Sequence, residues 1–138
     1  MPSGRERVAA VLLAAGASTR FGSPKMLAAV GGEPLLRRVA RAFVEAGFSE
    51  VAVVLAPGAA AVAATLEGLE VLPVTNPRPE EGMLSSVRAG LGALRGLPGR
   101  VAVTPADLPG LTAPVLRRLL AALEAAPADA VVVPRAGD

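Results

Sequence analysis

Short apolar runs alternate along this chain with longer stretches in which Ala and Leu are mixed with Arg and Glu. Residues 8–14 are apolar without interruption, which predicts a strand buried on both faces. Runs at 51–56, 71–75, 101–104 and 131–133 predict four further strands. Between them, 34–46, 59–66, 84–94 and 112–125 read as helices. Pro34 lies near the first turn of the first helix, and Gly47 stops it. Thr112 stands at the N-cap of the last helix, with Pro114 in its first turn. Segments 16–25, 76–82 and 105–111 are polar or Pro-rich and read as loops. The alternation predicts an α/β fold, a mostly parallel sheet with helices on both faces. Such sheets bind ligands in the crevice outside the carboxyl ends of their strands. Chemistry is therefore expected in the loops after the first, third and fourth strands.

Composition narrows that chemistry. The chain has 138 residues, at most one domain, and 52% of them are apolar, enough for a core. It contains no Cys and no His. Thiol nucleophiles, Ser-His triads, thiolate zinc sites and disulfides are thereby excluded within it. The pI of about 10.4 accompanies a formal charge of only +2, so it reflects the high pKa of Arg rather than a basic surface. Arg37, Arg38 and Arg41, like Arg117 and Arg118, fall in helical stretches and read as solvated faces. The aromatics are Phe21, Phe43 and Phe48 alone, too few for base stacking, and no nucleic-acid partner is expected. Arg5 and Arg7 ahead of the apolar run also fit the start of a signal peptide. Glu6, and a motif starting at Leu13 that cleavage would destroy, favour the strand. No stretch reaches the ~18 uninterrupted apolar residues of a membrane span, so a cytoplasmic chain with no membrane partner is expected.

Three loops carry candidate chemistry. In Leu13-Ala-Ala-Gly-Ala-Ser-Thr-Arg-Phe-Gly-Ser-Pro-Lys25, small residues would let the backbone N–H groups of Gly16, Ala17 and Ser18 cradle a phosphate. Arg20 and Lys25 would neutralise it. The spacing fits neither the P-loop nor the dinucleotide fingerprint, and a plain strand-to-helix connection remains the alternative. Lys25 is the only Lys beside 13 Arg; an ammonium differs from a guanidinium where a compact charge must fit a tight site. Asp107, the first Asp of the chain, ends the fourth strand and suits a Mg²⁺ held mainly by water and phosphates, or else an Asx turn or helix cap. The third loop runs from Asn76, the only Asn, through Gly82 to Ser85 and Ser86. Asn76 can donate and accept, as base-edge recognition requires. The serines read alternatively as N-caps, and Glu80 and Glu81 as a solvated turn. Gly90 inside a helix costs about 1 kcal/mol against Ala and marks close packing.

Taken together, these motifs resemble those of the MobA-like nucleotidyltransferases. Leu13-Ala-Ala-Gly-x-Ser-x-Arg-x-Gly-x-x-Lys25 is similar to the signature of that superfamily. Asn76-Pro-x-x-x-x-Gly-Met-x-Ser-Ser-Val-Arg-Ala-Gly90 resembles the molybdenum cofactor cytidylyltransferase branch, and Asp107-Leu-Pro-x-Leu-Thr112 the family's metal-binding segment. The resemblance implies a Rossmann-like three-layer sandwich, CTP or another NTP as donor, molybdopterin as acceptor, Mg²⁺ as cofactor, and a molybdoenzyme or its chaperone as partner. It implies that Leu13, Ala14, Ala15, Gly16 and Ser18 contact the nucleotide, and that Arg20 and Lys25 bind its phosphates. Asn76, Gly82, Ser85 and Ser86 would lie on the base side, and Asp107 would hold the metal. The chain departs from the pattern at Ala106, where Gly is common. It stops at Asp138, where family members continue into acceptor-binding segments, so it reads as a single domain over 1–138 that is incomplete at its end. Other readings are a guanylyl- or sugar-phosphate nucleotidyltransferase, a truncated non-catalytic nucleotide-binding fragment, and an α/β binding domain whose motifs are coincidental.

Overall fold

A computed structural model describes residues 8–15, 27–95, 99–108 and 110–126. The strand expected at 131–133 lies outside them. The elements run β1 (Val8–Ala14), β2 (Ala29–Val30), β3 (Glu33–Pro34), α1 (Leu35–Ala46), β4 (Val51–Leu55), α2 (Ala60–Ala64), β5 (Leu72–Thr75), a 3-10 turn (Pro79–Glu81), α3 (Met83–Ala93), β6 (Arg100–Pro105) and α4 (Ala113–Ala125). Four strands form one sheet in the order β5-β4-β1-β6, and each neighbouring pair is parallel.

The unbroken apolar run of β1 follows from its place inside that sheet. Alternate residues point to opposite faces. Val8, Ala10, Leu12 and Ala14 join Val51, Val53, Leu55, Val39, Phe43, Leu116 and Leu123 in one core. Val11 joins Ala52 and Val54 in a second core, lined by Leu13, Leu72, Val74 and Ala89. The first core packs the sheet against α1, α2 and α4, the second against α3. Chain direction explains this division. From β1 through β4 to β5 the sheet grows one way; β6 then returns to the other side of β1. Right-handed crossovers therefore place α1 and α2 on one face and α3 on the other.

Local sequence fixes the element ends. α1 ends in a Schellman turn: Gly47 takes φ of 107°, its N–H donates to Val44 O, and the Phe48 N–H donates to Phe43 O. The rings of Phe43 and Phe48 close the motif, 5.0 Å apart. Gly90 brings α3 down onto the sheet. A Cβ there would lie 2.4 Å from Val11 Cγ1 and 3.0 Å from Val54 Cγ2, the close packing that a glycine in mid-helix predicts.

Several details depart from the sequence reading. The β2–β3 hairpin was not expected; Gly31 and Gly32 both have positive φ, as a two-residue type I′ turn needs, but its two-residue strands are too short to show a period. Thr112 is the N-cap of α4 yet its side chain makes no cap hydrogen bond. Gly82, not a serine, precedes α3. The arginines of α1 are not merely solvated: Arg37 Nη1 donates to Thr65 O and Glu67 O at 3.0 and 2.7 Å, tying α1 to the turn after α2. Arg41 pairs with Glu33 and Glu45. Among the described residues, no helix is long and apolar enough to cross a membrane.

Candidate active site

All four strands of the sheet point their carboxyl ends to one rim, and the described candidate residues gather there. The reversal of strand order falls between β1 and β6, the position at which open α/β sheets bind ligands. Leu13 and Ala14 end β1, and Ala15 begins the loop that leaves it. Leu13 O accepts the N–H of Ala106 at 3.0 Å. That bond extends the β1–β6 ladder by one step and holds Asp107 beside the start of the first loop. Ala106 is wholly buried, so a small residue is required there. Asp107 is half-buried and, among the described residues, no group of three or more potential ligands surrounds it. One carboxylate at a strand end is a donor set that fits Mg²⁺ completed by water and phosphate oxygens, and not a protein cage.

The third loop leaves the rim from β5, on the far side of β4. The Asn76 N–H donates to Leu55 O at 2.9 Å, so the residue is anchored to the sheet. Its side chain is buried, with 3% exposed. Asn76 Nδ2 donates to Ser85 Oγ and to Ser86 Oγ, each at 2.9 Å, and Asn76 Oδ1 accepts the Arg78 N–H at 3.0 Å. Ser85 Oγ also lies 2.7 Å from Gly82 O and 3.2 Å from Arg78 O. Asn76, Gly82, Ser85 and Ser86 thus form one assembly at the start of α3. The serines are not N-caps, and Ser86 is itself buried. Glu80 and Glu81 lie in the 3-10 turn, where Glu81 meets the exposed Arg78. Met83, Leu84 and Leu108 expose apolar side chains on the same rim.

From β5 to β6 there are three inter-strand steps, about 14 Å at the usual spacing. The Asn76 assembly and Asp107 therefore stand at opposite ends of the rim, with the ends of β4 and β1 between them. Gly16, Ser18, Arg20 and Lys25 lie outside the described residues. The turn after β4, through Pro57 and Gly58, also opens on this rim, between the ends of β1 and β5. Sequence reasoning did not single it out, although Pro57-Gly58 was the available signal.

Residues 10–138 match the MobA-like NTP transferase domain. The chain belongs to that family. A 2-C-methyl-D-erythritol 4-phosphate cytidylyltransferase of Ralstonia nicotianae is 38% identical over 93% of this MobA-like chain and 54% of its own length. A "Probable molybdenum cofactor guanylyltransferase" of Deinococcus radiodurans is 41% identical over 82% of this chain and 53% of its own. The MobA-like chain thus spans about half the length of each. Rv0371c of Mycobacterium tuberculosis superposes with a TM-score of 0.73 at 26% identity, covering 88% of this chain and 62% of that one. A crystal structure of the same mycobacterial protein is a complex with manganese. These neighbours share the Rossmann-like nucleotidyltransferase fold, and the chain is a nucleotidyltransferase-family protein.

Proposed function

We propose that this MobA-like domain transfers CMP from CTP to molybdopterin and releases pyrophosphate, with Mg²⁺ as cofactor. The observation that carries the reading is that the end of β1, bearing Leu13 and Ala14, lies against the segment of Asp107 where the strand order reverses. A phosphate monoester on the acceptor attacks the α-phosphorus of CTP in line. The new P–O bond forms as the bond to the β-phosphate oxygen breaks, and the electron pair leaves with pyrophosphate. Such transfers depend mainly on positioning and charge stabilisation. The nucleophile is already ionised near pH 7, so it requires no general base, and a chain without His suits it.

Backbone groups of Leu13, Ala14, Ala15, Gly16 and Ser18 would hold the nucleotide. Arg20 would bind the departing β- and γ-phosphates, and Lys25 would face the α-phosphoryl group. Asn76, Gly82, Ser85 and Ser86 form the base end of the site. Asp107 would hold the Mg²⁺, whose charge offsets that of the phosphates when bound; the manganese complex of the mycobacterial neighbour supports a divalent cation. Exposed Met83, Leu84 and Leu108 offer apolar cover to flat heterocycles. Molybdopterin as acceptor, with a molybdoenzyme or its chaperone receiving the product, rests on the motif from Asn76 to Gly90. A guanylyltransferase on the same acceptor is the second reading, favoured by the Deinococcus relative.

Thermal stabilisation by each nucleoside triphosphate with Mg²⁺ tests base choice, because a ligand that binds only the folded state raises its melting temperature. CTP is expected to give the largest rise, and a larger rise with GTP supports the second reading. Asp107→Asn should abolish the Mg²⁺-dependent part of the shift; an unchanged shift would make Asp107 structural. Pyrophosphate release on adding molybdopterin separates a transferase from a fragment that only binds.

A further inference from the structure

Asn76 stands at the base end of the proposed site, yet its amide faces inward. A carboxamide has two N–H donors, and both are engaged by Ser85 Oγ and Ser86 Oγ. With 3% of the residue exposed, no surface is left for a base edge. We propose that Asn76 is a positioning residue. It locks the loop from Asn76 to Gly82 onto the first turn of α3, and it acts on the nucleotide through that turn rather than by touching the base. This rests on the nucleotidyltransferase reading and assigns one residue's part in it.

Hydrogen-bond polarity makes the lock specific. The Asn76 amide compels both serine oxygens to accept. The Ser85 proton is then directed at Gly82 O or Arg78 O, the carbonyls within its reach. That bond braces Gly82, whose φ of 103° lies where L side chains are strained. At the other end of the amide, Oδ1 holds the Arg78 N–H, and the Asn76 backbone holds β4. One side chain thereby joins the sheet, the 3-10 turn and α3. An aspartate has nearly the same shape and keeps the acceptor for Arg78. It cannot donate, so it would draw both serine protons to itself and take the Ser85 proton from Gly82.

The test titrates CTP, GTP, UTP and ATP with Mg²⁺ into the 138-residue chain, its Asn76→Asp, Ser85→Ala and Ser86→Ala variants, and the double variant Asn76→Asp/Ser86→Ala. Asn76→Asp is expected to weaken every nucleotide by a similar factor, about tenfold or more, with the order of preference unchanged. The double variant should lose less than the sum of the Asn76→Asp and Ser86→Ala losses, because each change removes the same bond from Asn76 Nδ2 to Ser86 Oγ. Amide exchange at residues 82–86 should quicken in Asn76→Asp. A changed order among the four bases would make Asn76 a base reader and overturn the inference, as would wild-type affinity in Asn76→Asp. Additive losses would overturn the shared lock. The milder Ser85→Ala variant gives the same uniform weakening if Asn76→Asp fails to fold. Failure of the wild-type chain to bind any nucleotide would instead sink the nucleotidyltransferase reading itself.

Discussion

Two glycines of α3 make opposite demands. At Gly92 a Cβ would meet nothing within 4 Å, whereas at Gly90 it would meet the buried side chains of Val11 and Val54. Alanine is the better helix former by about 1 kcal/mol. Overpacking a closed core costs about 1–3 kcal/mol, and β-branched neighbours on a central sheet have little room to move. Gly90→Ala is therefore expected to lower unfolding stability by about 1 kcal/mol or more, while Gly92→Ala leaves it unchanged or raises it. Urea denaturation of the two variants checks the contrast, and adding Val11→Ala should restore part of the loss at Gly90. The packing role of Gly90 was legible because a glycine in mid-helix has a known cost. The partners of Asn76 were not legible. Residue type shows what an amide can do, but the bonds it makes depend on which side of the backbone it faces.

The hairpin β2–β3 is held to α1 by charge. Glu33 is hydrogen-bonded by Arg41, and Arg41 also meets Glu45 at 3.0 Å. The Arg41 hydrogen bond, against some loss of solvation and with help from the charges of Arg41, Arg37 and Arg38, holds the Glu33 carboxyl below its ordinary pKa. A carboxyl with a lower pKa in the folded state stabilises the fold above its unfolded-state pKa. That contribution disappears as pH falls through the folded-state value. The melting temperature should therefore decline on the acid side of the usual carboxylate range, and less so in Glu33→Gln. Both partners are partly solvated, so the contribution is at most about 1 kcal/mol and should shrink in high salt. Differential scanning calorimetry from neutral to acid pH measures it. The main strands and helices were readable from their apolar runs and stops. This hairpin was not, because two-residue strands carry no period and only Gly31-Gly32 marks the turn.

Across the molecule, β-α alternation was enough to give a parallel sheet with helices on both faces. It left open where the strand order reverses, since that depends on pairings between distant segments: β6 could have joined β5 and joined β1 instead. The pairing matters because it sets Asp107 beside the end of β1. Lys25→Ala should lower transferase turnover by about a hundredfold or more with the circular dichroism spectrum and melting curve unchanged; full activity in that variant would remove Lys25 from catalysis. Gly90 also links the core to this rim. It is the seat on which α3 rests, and Ser86 lies about one helical turn, roughly 6 Å, from it along the axis. A helix moves as a rod, so raising the seat tilts or lifts the end that carries Ser85 and Ser86. The height of the start of α3 above the sheet is thus gauged by a missing methyl group opposite Val11.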